Sequence, residues 1–273
     1  MNSKFFLLGG DINKSLTEGY KFDLIKLFQD AFKITQKHFL PLLSACLFII
    51  LLLSALFSQI LDKTITLDDP RVVIGYFFFA LVIAPPLMAG LLMMGVHHSI
   101  GLKTKSFYIF NYFNLLLKLS LAAVMIALMT NVASMVLTEV LGSIGFVLSV
   151  IILLYLKMSF CLVYPLIAEK KASPILALKL SFILVHKNIG QFTQLLIIFC
   201  FLFFIGLISY GFAFFFIIPF CINMLGLIYR QICGVGISVT ETPDDEITED
   251  NDDDNDNDNN NNNSGPKRGG FEA

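Results

Sequence analysis

Lys157 is the residue of this sequence that most invites a chemical role, because it is the one charge within the apolar stretch 144–168. A lysine inside a bilayer costs about 2.5–3.5 kcal/mol on insertion scales, so such residues commonly serve a function. One interpretation places Lys157 in a polar cavity with Asn131 on the preceding helix, where it binds an anionic headgroup or relays protons. In the other interpretation, its four-carbon stem carries the ammonium group to the headgroups.

Proline interrupts three of the apolar stretches, at Pro85 and Pro86, at Pro165 and at Pro219. Proline removes a backbone donor and kinks a helix. The four prolines are therefore candidate helix-kink residues. Two interpretations stay open: the kinks are packed against neighbouring helices, or they open a cavity and let the helices move.

The remaining reactive side chains form no recognised motif. The histidines are predicted to lie at the membrane interface, and their spacing matches no zinc signature. The cysteines form no C-x-x-C pair and are expected to pack as small apolar groups. Phosphate loops, dinucleotide-binding glycine motifs, nucleophile elbows and paired carboxylates are also missing. We therefore predict no catalytic, cofactor-binding or metal-binding residues, and a protein that is not an enzyme. The residues concerned are His38, His97, His98, His186, Cys46, Cys161, Cys200, Cys221 and Cys233.

The elements that must position these residues are long apolar helices. Of the 273 residues, 56% are hydrophobic and 15% are charged, with a mean hydropathy of +0.76. A helix that crosses a bilayer needs about 20 apolar residues, and only helices satisfy the backbone over such lengths. The pattern predicts an all-α fold of six transmembrane helices in three hairpins, over residues 39–61, 72–96, 115–137 and 144–168 and twice within 191–233. Ser209, Tyr210 and Gly211 are expected to form the last turn.

Lysine and arginine predict the orientation, since they concentrate in cytoplasmic loops. With the N-terminus in the cytoplasm, the opposite face carries only Lys63 and Arg71. Both termini are then cytoplasmic. The predicted organisation is an N-terminal segment (1–38), a six-helix membrane domain (39–235) and an acidic tail (236–273).

An amphipathic segment precedes each predicted hairpin. Phe22, Ile25, Phe28 and Phe32 alternate with lysines, which is typical of a helix that lies in the membrane interface. Residues 175–187 repeat this pattern after Ser173, a favourable N-cap, at an offset of 150 positions. Residues 106–118 share mainly the aromatic character.

The tail is predicted to be disordered. Residues 241–273 hold 12 acidic and 2 basic residues, with runs of aspartate and asparagine that cannot bury enough apolar surface. The glycine and the final glutamate of an EF-hand loop are missing, so no folded calcium site is expected.

Residues 84–101 and the segment from Pro219 to Arg230, with Leu225, Gly226 and Tyr229, resemble the YciC-like group of uncharacterised bacterial inner-membrane proteins. That group is related to the membrane domain of some glycerophosphodiester phosphodiesterases. The resemblance implies a six-helix inner-membrane fold, and it supplies no catalytic residues.

We therefore expect a multi-pass protein of the bacterial inner membrane with a non-enzymatic role, as a scaffold or accessory protein. Its expected partners are membrane lipids and other membrane proteins, and nucleic acid is not expected because the lysines are spread along a membrane face. The alternative is a small transporter or channel for an amphipathic or anionic solute, with Lys157 and the proline kinks lining its path.

Overall fold

The computed structural model describes residues 3–58 and 70–240, and this part of the chain is almost entirely helical. The predicted all-α class is confirmed. The elements in chain order are β1 (Ser3–Leu8), α1 (Ile12–Thr17), α2 (Leu24–Lys37), α3 (Phe39–Ser58), α4 (Pro70–Phe78), a π-helix (Phe79–Ile83), α5 (Ala84–Ser99), a 3-10 helix (Ser106–Leu115), α6 (Leu116–Ser159), α7 (Val163–Lys170), α8 (Pro174–Lys187), α9 (Ile189–Ile208), α10 (Phe214–Cys233) and β2 (Val235–Thr240).

Across the described residues 3–58 and 70–240, four helical stretches are long and apolar enough to cross a membrane: Val73–Ser99, Ser106–Lys170, Ile189–Ile208 and Phe214–Cys233. A fifth results if α2 and Phe39–Ala55, which meet at 82°, are counted together. Many large apolar side chains on α6 and α9 are exposed. Exposure of so large an apolar area is unfavourable in water but expected in lipid. These lengths and surfaces indicate a membrane-embedded protein.

The helix pair α2–α3 is repeated later in the chain as α8–α9. The first member of each pair has 14 residues and the second has 20, and all four boundaries are related by the 150-residue offset. Asp23 and Ser173 cap α2 and α8 by accepting hydrogen bonds from backbone N–H groups of the first turn. The predicted repeat between these two amphipathic segments is therefore present in the backbone.

The long helix α6 breaks sharply at Gly142, where φ is 55° and ψ is −128°. In a straight helix, residues eight positions apart are separated by about 12 Å along the axis. Here a Cβ atom on Gly145 would overlap the carbonyl oxygen of Leu137, eight positions earlier. The chain therefore bends strongly at Gly142, and glycine tolerates this positive φ.

Three of the four predicted kink prolines lie beside irregular helix. Pro85 and Pro86 begin α5 directly after the π-helical turn, and Pro165 lies in the first turn of α7 after a break at 160–162. The Ser181 hydroxyl accepts a hydrogen bond from the Leu162 N–H (3.3 Å) and so satisfies a backbone donor freed by that break.

Pro219 differs from the other three, because it lies inside the uninterrupted helix α10 and is buried. The suggested role of the prolines in helix movement stays a prediction.

The centre of the bundle is the contact between α5 and α10, whose backbones approach closely at two glycines. A Cβ atom on Gly95 would lie 2.5 Å from the Ile222 carbonyl oxygen, and one on Gly226 would overlap the backbone of Gly95. Small residues at such a crossing allow the dense packing that holds helices together in lipid. The fully buried Met94, Met224 and Tyr229 surround this crossing.

The two ends of the described chain are joined by an antiparallel pair of strands. β1 pairs with β2 from Ser3 opposite Thr240 to Leu8 opposite Val235. Residues 236–240, which the predicted organisation assigns to the tail, belong to β2 and find backbone partners in a strand far away in sequence. Residues 241–273, the rest of the predicted disordered tail, lie outside the described residues.

We expect Gly226→Ala to lower the stability of the protein by about 1–3 kcal/mol, since the added methyl group must push α5 and α10 apart. Thermal unfolding followed by circular dichroism at 222 nm in detergent measures this change. Gly190→Ala is the matched control, because a Cβ atom on Gly190 in α9 meets nothing within 4 Å. Equal melting temperatures for the two variants would contradict the assigned helix crossing.

Candidate functional site

Lys157 is exposed near the end of α6, and its side chain lines a cavity of about 200 Å³ between α6, α9 and α10. The other lining residues are almost all apolar. Asn131 is also exposed and donates a hydrogen bond to the Ala127 carbonyl oxygen (2.7 Å) of its own helix. The cavity is thus apolar and does not include Asn131, unlike the polar cavity in one of the two interpretations. Lining residues are Leu154, Met158, Cys161, Phe192, Leu195, Leu196, Phe199 and Leu225.

A cluster of hydrogen-bonded and mostly buried polar side chains lies elsewhere, at the end of the α5–α10 contact. His98 Nδ1 lies 3.0 Å from Asn223 Oδ1, and His98 Nε2 lies 2.8 Å from Thr104 Oγ1. The Asn223 amide donates to Thr35 Oγ1 (3.0 Å), whose hydroxyl donates to the Ala31 carbonyl oxygen (2.7 Å). We call these four side chains (Thr35, His98, Thr104 and Asn223) the His98 network.

The His98 network suits a neutral imidazole, with Nδ1–H donating to Asn223 and Nε2 accepting from the Thr104 hydroxyl. Thr35, His98 and Asn223 are each at most 1% exposed. A buried polar group without a partner costs about 1–3 kcal/mol, so a complete chain of donors and acceptors is required here. Throughout the described residues, every fully buried side-chain nitrogen and oxygen atom has a hydrogen-bond partner.

His38 stacks on the His98 ring, with ring centroids 4.5 Å apart and planes inclined by 12°. It lies at the bend between α2 and α3 and is 5% exposed. Burial lowers the pKa of His38 below its ordinary value of 6.5, and the nearby Lys37 and Lys103 lower it further. His38 and His98 are therefore buried among protein side chains, and their predicted location at the membrane interface stays a prediction.

A second polar chain begins beside the first, at the half-buried His97. His97 Nδ1 lies 2.6 Å from the Met93 carbonyl oxygen, and its Nε2 lies 3.2 Å from the Tyr108 hydroxyl. Tyr108 in turn contacts the Tyr112 hydroxyl at 3.0 Å. Within residues 3–58 and 70–240, no group of three or more histidine, cysteine or acidic side chains converges as a metal site would require. The contacts that the structure shows for His38, His97 and His98 are hydrogen bonds and ring stacking.

Glu169 fastens β2 to the helical core, a role that the sequence analysis missed. Its carboxylate accepts hydrogen bonds from the buried Tyr229 hydroxyl (2.6 Å) and from the Gly236 N–H (3.1 Å), and it pairs with Lys170 (3.0 Å). The available signal was an isolated glutamate directly after the apolar stretch 144–168. Its hydrogen-bond donors Tyr229 and Gly236, however, lie 60 and 67 positions later in the chain.

The segment before α2 is held against the junction of α8 and α9. The Gln191 amide donates to the Phe22 carbonyl oxygen (2.6 Å) and accepts from the Phe22 N–H (3.2 Å). Asn188 donates to the Tyr20 carbonyl oxygen (2.9 Å), and the Tyr20 hydroxyl donates to the Leu184 carbonyl oxygen (2.5 Å). Burial raises the pKa of Tyr20, which keeps this hydroxyl protonated and able to donate.

Comparisons with known proteins give no relative: no protein-family profile, no curated protein and no solved structure matches this chain. The resemblance to the YciC-like group therefore stays a prediction.

We expect the unfolding midpoint to fall as pH is lowered from about 7 to 5, in part because of His38. The pKa of His38 is lower in the folded chain than in the unfolded chain. Below a pH of about 6.5 the unfolded chain therefore binds the proton more readily, and the free energy of unfolding falls. His38→Phe keeps a ring for stacking and should reduce this pH dependence. Thermal midpoints of both proteins across the pH range measure the difference, and identical slopes would contradict a neutral buried His38.

Proposed function

We propose that this chain is a six-helix membrane protein that serves as a non-enzymatic scaffold or accessory protein and engages lipids and partner proteins. The proposed spans are α3, α4 with α5, the two parts of α6 on either side of Gly142 (the second continuing into α7), α9 and α10. The break at Gly142 supports dividing the stretch Ser106–Lys170, which at about 1.5 Å per residue would otherwise far exceed the bilayer thickness.

The observation that carries the proposal is the form of α2 and α8. Each helix packs one stripe against the protein, with Leu27 and Ala31 buried on α2 and Ala177 and Leu184 buried on α8. Each also exposes large apolar residues beside exposed lysines; Ile25, for example, is 72% exposed. A helix with a packed stripe, an exposed apolar stripe and flanking lysines fits the boundary between acyl chains and headgroups.

Two apolar cavities support lipid engagement. One of about 260 Å³ lies between α3 and α10, and the other is the cavity of about 200 Å³ beside Lys157. Cavities lined almost wholly by apolar side chains suit acyl chains rather than ions or polar solutes. The hydrogen-bonded and closely packed contact between α5 and α10 likewise favours a static interior over a polar path.

The proposed location is the bacterial inner membrane with both ends cytoplasmic. This orientation rests on the lysines of α2 and α8 and on Lys103, Lys105 and Arg230, which follow or precede proposed spans on one side. Anionic lipids of that leaflet attract such residues by about 1 kcal/mol each.

We expect replacement of the five lysines of α2 and α8 by glutamine to lower the ratio of anionic to zwitterionic lipid that copurifies with the protein by at least about tenfold, from the loss of headgroup attraction. These lysines are Lys26, Lys33, Lys37, Lys179 and Lys187, all exposed. Lipid analysis of protein extracted with minimal delipidation measures the ratio.

The matched control for this experiment carries arginine at the same five positions, which keeps every charge and should retain the wild-type ratio. An unchanged lipid complement and partner set in the glutamine variant would refute the proposal. Circular dichroism of both variants checks that the helices still form.

The specific observation that favours the alternative, a small transporter or channel, is that Lys157 borders a cavity between helices. The scaffold proposal predicts that Lys157→Ala leaves folding, copurified lipid and vesicle permeability to small anions unchanged. Flux of an amphipathic anion in reconstituted vesicles, compared with Asn131→Ala, tests this. A loss of flux in Lys157→Ala with intact folding would replace the scaffold by the transporter.

A further inference from the structure

A basic pocket opens where β1 ends against the last turns of α5 and α10. Its volume is about 610 Å³, within the usual range of small-molecule sites. Two of its eight lining residues, Lys21 and Arg230, are cationic, and none of the eight is acidic. We call it the Lys21–Arg230 pocket. The lining residues are Leu8, Gly9, Gly10, Lys21, Ile100, Gly101, Arg230 and Gln231.

The two cations have no acidic partner in the part of the chain that the structure describes. The salt bridges found there join Lys14 to Glu18 and Lys170 to Glu169, so neither Lys21 nor Arg230 is neutralised by them. The Arg230 guanidinium carries five N–H donors, and one of these is directed to the Ser99 carbonyl oxygen. Charge and donors therefore remain for an anionic ligand.

The backbones that carry both cations are fixed before any ligand arrives. Lys21 is exposed, but it lies between Tyr20 and Phe22. Four hydrogen bonds hold these two neighbours in place, through the Leu184 carbonyl oxygen, Asn188 and Gln191. The Arg230 carbonyl oxygen accepts hydrogen bonds from the N–H groups of Gly10 (2.9 Å) and Gly234 (3.1 Å). Preorganised donors reduce the entropy lost on binding.

Gly9 lets the end of β1 run directly beside Arg230. Its φ is 107°, and a Cβ atom there would overlap the Arg230 carbonyl oxygen and lie 2.9 Å from the Arg230 Cγ atom. Any side chain at this position would displace the arginine stem. The glycine thus positions a cation at the pocket as well as completing a turn.

The opposing electrostatic effect comes from the negative C-terminal ends of α5 and α10, which both border the pocket. Each helix C-terminus carries about half an elementary charge, so the two ends together carry about one, smaller than the two full charges of Lys21 and Arg230. Several of the last carbonyl oxygens are already occupied: that of His98 accepts from the Gly101 N–H (3.1 Å), that of Ser99 accepts from Arg230, and that of Arg230 accepts from Gly10 and Gly234. The charge of the lining residues and the two helix ends together is therefore positive and favours an anion.

We propose that the Lys21–Arg230 pocket binds a phosphate-bearing anionic group. A lysine and an arginine that line one pocket without carboxylates match the charge and the acceptor oxygens of a phosphate ester. The pocket lies at the ends of the candidate spans Val73–Ser99 and Phe214–Cys233, where the proposed topology places lipid headgroups. The phosphate belongs either to a phospholipid headgroup or to a water-soluble phosphate ester. The lipid source rests on the proposed function; phosphate binding itself does not.

The test is native mass spectrometry of the full-length protein in a zwitterionic detergent, titrated separately with phosphatidylglycerol, phosphatidylcholine and glycerol 1-phosphate. We expect saturable binding of one phosphate-bearing ligand. Lys21→Gln should weaken it about fivefold and Lys21→Glu by roughly a further fivefold, the effect of one basic charge at headgroup level. Lys14→Gln, at an exposed lysine outside the pocket, is the matched control.

The outcomes separate the two possible sources of the phosphate. Saturable binding of phosphatidylglycerol without binding of glycerol 1-phosphate supports a lipid headgroup, whereas binding of glycerol 1-phosphate alone supports a soluble ester. Wild-type affinity for the phosphate-bearing ligand in both Lys21 variants, or no saturable binding by the wild type, overturns the proposal that this pocket binds phosphate. If the five-lysine variant still loses anionic lipid in that case, the proposed function stands without it.

Discussion

The close contact between α5 and α10 is the constraint on which the rest of the structure depends. Gly95 and Gly226 let two backbones meet almost without side chains between them. One helical turn from each glycine, on the same helices, lie His98 and Asn223, which hydrogen-bond across the contact. Close approach and polar pairing support each other, because an amide and an imidazole can pair only when the helices are held at this distance.

Hydrogen bonding across the chain then joins distant segments to this central pair. Asn223 extends the His98 network to Thr35 on α2, and Arg230 reaches Ser99 at the end of α5. Glu169 connects α7 to Tyr229 and to β2. Polar groups away from water are expensive unless paired. Each of these pairs therefore selects one arrangement of helices whose apolar surfaces alone would pack in many ways.

The repeat of α2–α3 in α8–α9 shows how one helical pair serves two positions. Both copies carry a capped amphipathic helix and a 20-residue apolar helix, and both present lysines on the exposed side. The copies differ at the residue between the helices. His38 stacks on His98 in the first copy, whereas Asn188 binds the Tyr20 carbonyl oxygen in the second. These joints connect the two copies to different parts of the core.

Sequence patterns by themselves determined the helical class, the apolar stretches, the Ser173 cap, the turn after Ile208 and the 150-residue offset, because these depend on local composition and periodicity. They also identified Lys157 and Asn131 as candidate functional residues. They did not indicate that both side chains are exposed and share no polar cavity. Only the tertiary structure decided that His38 and His98 are buried, that β1 pairs with β2, and that Lys21 and Arg230 share a pocket. Each of these features joins residues far apart in the chain, and local patterns do not specify which distant partner satisfies a polar group.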